Sequence, residues 1–151
     1  MNIIYVIEDF SENGRMERIV SEKANTLSMQ YNHQVTLISV YHDNRPQYYQ
    51  LTDKVKLILL DVPFAKKTNN SVSRLFTRIN TMIIAIIRLN KVITKINPDI
   101  IFFATTLGAI LLPFCRTKAI KIYESHLARN FNQFNKLFIL TDKRTERIIC
   151  L

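Results

Sequence analysis

Glycine is almost missing from this chain: two residues in 151. Tight turns must therefore rest on Asn, Asp and Ser. The three spaced glycines of a dinucleotide fingerprint are absent, which argues against a dehydrogenase. There is also no phosphate-loop Lys motif, no Ser-His-Asp grouping and no metal-ligand signature. Cysteine is scarce too. Cys115 and Cys150 sit in apolar surroundings without metal-ligand spacing, and read as reduced core residues of a cytosolic protein rather than a disulfide. No basic leader with a cleavage site opens the chain, so no signal peptide is visible. The longest weakly polar stretch, residues 100–115, falls short of the roughly 18 residues of a membrane span. It contains Thr105, Thr106, Gly108 and Pro113 and reads as a strand followed by a buried helix. Acidic residues are outnumbered, 12 against 21 basic, for a net charge of +9. That excess fits a nucleic acid, an anionic membrane surface or an anionic small molecule, and does not choose among them.

What is present is globular: 48% hydrophobic and 22% charged residues, in a length suited to one domain. The chain is organised around residues 2–8, a β-branched and aromatic strand, and the turn at residues 9–14 that feeds a helix over 16–31 with Met16, Ile19, Val20, Ala24 and Leu27 on one face. Such a turn points backbone N–H groups at a ligand, where phosphates and carboxylates bind; with one glycine, an ordinary strand–helix turn without a ligand is the favoured reading. Strands follow at 34–40 and 54–62. A long helix over 71–96 ends at Asn97-Pro98, because proline disfavours helix in the residue before it. A strand at 99–103, a helix at 106–116 interrupted by Pro113, a strand at 118–124, a mostly helical segment at 127–144 and a strand at 146–151 complete the pattern. Strands alternating with helices make an α/β fold: a Rossmann-like parallel sheet of about six strands with helices on both faces.

In the long helix, Leu75, Ile79, Met82, Ile86 and Ile93 form the expected core stripe. Arg74, Arg78, Arg88, Lys91 and Lys95 lie on the other side within about 140°. That basic face is either simply solvated or a surface for anionic lipid headgroups. Ligands of parallel sheets bind beyond the carboxyl ends of the strands, here residues 9–15, 41–45, 105–108 and 124–129. His126, beside Glu124 and Ser125, can bond a sugar hydroxyl or phosphate there, or carry a proton near neutral pH; a surface or capping histidine is the plainer alternative. Aromatics do not interleave with Lys and Arg as a base-stacking platform needs, so nucleic acid is the least favoured partner.

The runs Asn13-Gly14-Arg15-Met16-Glu17-Arg18, Ala24-Asn25 and His33-Gln34-Val35-Thr36-Leu37 resemble the amino-terminal domain of family-four glycosyltransferases of the GT-B fold. So do Asn97-Pro98-Asp99-Ile100-Ile101, Glu124-Ser125-His126 and Arg147-Ile148-Ile149-Cys150-Leu151, so the likeness spans nearly the whole chain. The resemblance implies one half of a retaining enzyme that moves a sugar from a nucleotide sugar to a glycan or lipid-linked acceptor, in surface polysaccharide synthesis. It implies a cytoplasmic protein, peripheral at the inner face of the membrane, with no cofactor and no metal. His126 would contact the transferred sugar as the catalytic residue. Asn13, Gly14, Arg15, Glu124 and Ser125 would bind substrate, with Arg15 standing where the family has its second glycine. The donor-binding carboxyl-terminal domain of such enzymes is expected to be missing from these 151 residues, leaving them inactive alone. A degenerate, non-catalytic binding module of the same fold is the alternative.

Overall fold

The computed structural model describes residues 1–42, 45–63, 71–125, 143–145 and 147–150. Six strands form one sheet: β1 (Asn2–Asp9), β2 (Gln34–Tyr41), β3 (Val55–Leu59), β4 (Ile100–Ala104), β5 (Ile120–Ser125) and β6 (Arg147–Cys150). Their spatial order is β3-β2-β1-β4-β5-β6, and every neighbouring pair is parallel. The predicted Rossmann-like α/β sheet is therefore what the chain forms. β1 lies inside the sheet with both edges paired, which is why Ile3, Ile4, Tyr5, Val6 and Ile7 are all buried.

Helix α1 (Arg15–Met29) packs Val20 and Ala24 on Ile3, Tyr5, Ile7, Val35 and Leu37. Helices α2 (Ser71–Ile96) and α3 (Thr105–Leu111) cover the opposite face, over Ile4, Val6, Ile38, Val40, Ile101 and Phe103. Burial of one aliphatic side chain in such a core contributes about 1.5–3 kcal/mol. After α3 the chain tightens into a 3-10 turn, Leu112–Phe114. The helix predicted to residue 116 stops at Leu111 because Pro113 has no N–H to give and clashes with the preceding turn. β3 is shorter than its predicted span, yet Leu60 N–H and Val62 N–H still donate to the Ser39 and Val40 carbonyls, at 2.9 and 3.2 Å. The helix expected over 127–144 lies almost wholly outside the described residues.

The shortage of glycine shows in the backbone. Asn32, Asp61 and Asn97 take left-handed φ values of 56°, 48° and 49°, and neither glycine has a positive φ. Asn and Asp tolerate that region because their short polar side chains bond locally. The fourth left-handed residue is Thr105, at φ 75°.

The core stripe expected on α2 is corrected at its outer end. Ile93 is buried and Met82 and Ile86 pack half-buried on the core, but Leu75 and Ile79 are 58% and 48% exposed; the fully buried face is Thr81, Ala85, Leu89 and Ile93. The helix outruns the sheet. Twenty-six residues span about 39 Å, whereas the eight residues of β1 span about 26 Å. Arg88 stays exposed on the basic face and also bonds backbone: its Nη1 donates to the Leu60 and Asp61 carbonyls at 2.6 and 2.7 Å, holding the chain just past β3. Among the described residues no helix is long and apolar enough to cross a membrane.

Candidate functional site

The chain leaves β1 to one side for β2 and β3, then returns through α2 to β4 on the other side. The carboxyl ends of β1 and β4 thus flank the point where strand order reverses, which is where open α/β sheets hold ligands. Among the described residues, each of these two ends carries a buried polar atom with no hydrogen-bond partner: Asp9 Oδ2 on β1, and Thr105 Oγ1 where β4 turns into α3. Buried polar atoms are nearly always bonded, so two orphans at this crevice ask for a ligand.

Asp9 is 3% exposed. Its Oδ1 accepts from the Ser11 N–H at 2.9 Å and the Ser11 hydroxyl at 2.7 Å, which fixes the side chain in a local turn. Arg45 Nη2 stands 4.0 Å from Oδ2, beyond hydrogen-bond reach. The next residue is fixed as well, since Phe10 N–H donates to Ser39 Oγ at 2.9 Å and that hydroxyl donates to the Tyr41 carbonyl at 2.7 Å. Thr105 is β-branched and left-handed, a combination that costs of order 1–3 kcal/mol and clusters at functional sites.

Gly14 caps α1 with extended backbone, φ −110° and ψ 164°. A side chain there would run into the Glu17 carboxyl, which folds over Gly14. Glu17 also accepts a hydrogen bond from its own backbone amide. The first turn of α1 therefore already holds an anion of its own. Burial raises the Glu17 pKa, the backbone bond opposes that, and the charges of Glu12, Asp9 and Glu8 raise it further. In a chain of net charge +9 this turn gathers four carboxylates. The arrangement suits hydroxyl groups, which can donate to carboxylate oxygens, better than it suits phosphate.

The other residues singled out from sequence are spread more widely. Asn13 Oδ1 accepts from the Tyr49 hydroxyl at 3.0 Å. Arg15 is exposed and makes no hydrogen bond or ion pair among the described residues. Glu124 is 2% exposed on the α1 face of β5, where Lys23 Nζ donates to both of its oxygens at 3.0 and 3.1 Å. With Tyr5, Phe102 and Leu27 this pair borders a 380 Å³ depression. Burial first and Glu124 second hold the Tyr5 hydroxyl far above its usual pKa, so it stays protonated. Ser125 ends β5 in register with Cys150 of β6. His126 lies outside the described residues. Asn25, part of the Ala24-Asn25 run, ties the following loop to α1: its Nδ2 donates to the Gln50 carbonyl at 3.0 Å and its Oδ1 accepts from Thr52 N–H at 2.9 Å. Burial pushes the Cys115 thiol up to about 12, Lys121 opposing, which leaves it a free and unreactive thiol in the core.

Sequence reasoning placed residues 9–15 and 105–108 at the ligand edge but did not single out Asp9 or Thr105. The available signals were a carboxylate ending an apolar strand, and a β-branched residue at a strand–helix junction where glycine would be easier.

No family model matches the chain, and no curated protein matches it. Solved structures do. The chain is similar to sucrose-phosphate synthase from Thermosynechococcus elongatus at 13% identity and TM-score 0.62, over 94% of this chain and 39% of that one. The lipopolysaccharide outer core galactosyltransferase WaaB is similar at 13% identity and TM-score 0.64, over 93% and 37%. UDP-GlcNAc 2-epimerase from Methanocaldococcus jannaschii gives 13% identity and TM-score 0.52, over 99% and 39%. The chain spans about two fifths of the length of these structures. At such identity the likeness is one of fold: the chain has one Rossmann-like half of a GT-B fold.

Proposed function

We propose that this chain is the acceptor-side, amino-terminal half of a glycosyltransferase that moves a sugar from a nucleotide sugar to a glycan or lipid-linked acceptor in surface polysaccharide synthesis. The observation that carries the reading is the pair of orphaned atoms, Asp9 Oδ2 and Thr105 Oγ1, at the switch point of a GT-B-like half. Asp9 Oδ2 accepts a hydrogen bond from one acceptor hydroxyl and Thr105 Oγ1 bonds a neighbouring one. Together they orient the acceptor for attack. The anion already seated on α1 argues that the donor phosphates are held elsewhere, by a second Rossmann-like domain outside these residues. In this reading His126 meets the transferred sugar with retained configuration, Ser125 and Asn13 line its approach, Glu124 braces β5 through Lys23, and Arg15 is free to meet an anionic group of donor or acceptor. The enzyme works in the cytoplasm at the inner face of a membrane, without cofactor or metal.

Saturation-transfer NMR of the purified chain against a panel of sugars, sugar phosphates and nucleotide sugars tests this. Ring C–H protons of acceptor-type ligands are expected to receive saturation, and Asp9→Asn to abolish the signal while the circular dichroism spectrum is kept. Arg15→Gly is expected to weaken only phosphate-bearing ligands. No turnover is expected from the chain alone, because catalysis needs donor and acceptor held together. Absence of saturation for every sugar, or measurable transfer by the chain alone, would refute the reading.

A further inference from the structure

The amino ends of β2 and β3 border a cavity of about 410 Å³, at the far end of the sheet from the crevice. Val35 and Val55 are paired neighbours on these strands, and both turn into the core beneath α1. Side chains alternate along a strand, so Thr36 and Lys56, also paired neighbours, emerge together on the other face. Lys54, just before Val55, lines the cavity as well. Asn32 takes left-handed backbone, φ 56°, which turns the chain from α1 into β2 and sets Asn32 and His33 at the rim.

Two independent observations point to an anion here. Thr36 is only 9% exposed, and its hydroxyl makes no hydrogen bond among the described residues. A buried hydroxyl beside a cavity, with no acceptor of its own, asks for one from outside. The second observation is charge. Lys54 and Lys56 make no ion pair or hydrogen bond among the described residues, whereas Lys23 is committed to Glu124 and Arg88 to two carbonyls. Among the described residues that line the cavity there is no Asp or Glu. The negative end of α1 lies close by, but it is blunted: the Thr26 and Leu27 carbonyls accept from Gln30 N–H and His33 N–H at 2.9 and 3.1 Å. Two ammonium groups, the Thr36 hydroxyl and the Asn32 and Gln34 amides offer more donors than the two oxygens of a carboxylate use. They suit the three terminal oxygens of a phosphate. The volume falls in the range of small-molecule sites, about 300–1,000 Å³, and exceeds what a bare ion fills.

We propose that this cavity binds a small phosphate monoester. Lys54 and Lys56 close on the phosphate, and the Thr36 hydroxyl donates to one of its oxygens. Asn32, His33 and Gln34 border the space left for the organic body. Thr36 stands five residues before the end of β2 at Tyr41, roughly 17 Å along the strand, so a ligand here does not enter the crevice and does not compete with a sugar held there. The site needs no sugar transfer, and the two ideas fail separately.

Titration calorimetry with ribose 5-phosphate tests this, with inorganic phosphate, ribose and citrate as comparisons at matched ionic strength. The chain is expected to bind ribose 5-phosphate, to bind inorganic phosphate and citrate more weakly, and to leave ribose unbound. In amide NMR spectra the shifts are expected at residues 32–36 and 54–56 and not at Asp9 or Thr105, which separates this cavity from the crevice. Lys54→Gln with Lys56→Gln should weaken ribose 5-phosphate by about tenfold or more, and Thr36→Val by about tenfold. Neither variant should lower the thermal melt of the unliganded chain, because none of the three side chains has a partner to lose. No binding of ribose 5-phosphate overturns the proposal, as does binding that the double variant leaves unchanged. So do shifts confined to the crevice, or citrate or inorganic phosphate bound as tightly as ribose 5-phosphate, since the charge alone would then account for the binding.

Discussion

The two edges of the sheet are finished differently. At the amino edge the starts of β1, β2, β4 and β5 are tied to one another. Asn2 N–H donates to Asp99 Oδ2 at 2.7 Å, Asp99 N–H to the Asn2 carbonyl at 2.9 Å, Ile120 N–H to the Asp99 carbonyl at 3.0 Å, and Gln34 N–H to the Met1 carbonyl at 3.0 Å. The left-handed residues on this side are Asn32 and Asn97, which accept that conformation readily. At the carboxyl edge a left-handed position falls to Thr105, and Asp9 Oδ2 and Thr105 Oγ1 are buried with no hydrogen-bond partner among the described residues. One edge has its backbone satisfied for stability. The other holds strain and the two orphaned atoms, which is where the acceptor is expected to bind.

Substitutions can break or sharpen that contrast. The largest effect is expected at Gly108, which packs against Phe103 just below the crevice; a Cβ there would meet Phe103 Cβ at 3.1 Å and its carbonyl carbon at 3.2 Å. Gly108→Val should destabilise by about 1–3 kcal/mol through overpacking, read from urea unfolding. Next come two variants of opposite sign. Asp99→Ala, at the satisfied edge, should lower stability by about 1 kcal/mol. Thr105→Gly, at the strained edge, should leave stability level or raise it by about 1 kcal/mol, since relieved strain exceeds the chain entropy that glycine adds. If Thr105→Gly destabilises instead, the edges are not different in kind.

The smallest effect concerns Glu17, and it depends on pH. Its folded pKa is raised, so between the unfolded and folded values the unfolded chain releases a proton that the folded chain keeps. Stability attributable to this group therefore falls as pH rises through that window. Glu17→Gln can keep the backbone hydrogen bond and removes the charge. Its melting temperature should exceed that of wild type at pH 7, and the gap should close as pH drops below the usual glutamate value of 4.5. An equal gap at both pH values would show that the shift is not electrostatic.

The sheet was legible because both faces of β1, β2 and β4 are covered, so their residues read as apolar runs rather than alternations. The limits of α2 were legible too, because Asn97-Pro98 enforces a stop. Its buried face was not. Periodicity reports which residues share a side, and says nothing about how far a helix extends past the sheet it packs on, so Leu75 and Ile79 were assigned to a core they overshoot. The backbone contacts of Arg88 were illegible for a related reason: its carbonyl partners at Leu60 and Asp61 are 28 and 27 residues away in sequence. At the crevice the edge was legible from topology. That Asp9 Oδ2 and Thr105 Oγ1 in particular lack a hydrogen bond among the described residues depends on neighbours that no local pattern encodes.

The strand order also bears on how the chain is made. β1 completes one edge with β2, which ends at Tyr41, but its other edge waits for β4, which starts at Ile100. At ribosomal rates of about 5–20 residues per second, the intervening stretch takes roughly 3–12 s to emerge. During that interval the backbone edge from Ile3 to Val6 stays open beside apolar side chains, a template for pairing with other nascent chains. Slower translation between residues 42 and 99 should therefore lower soluble yield without changing a single native contact.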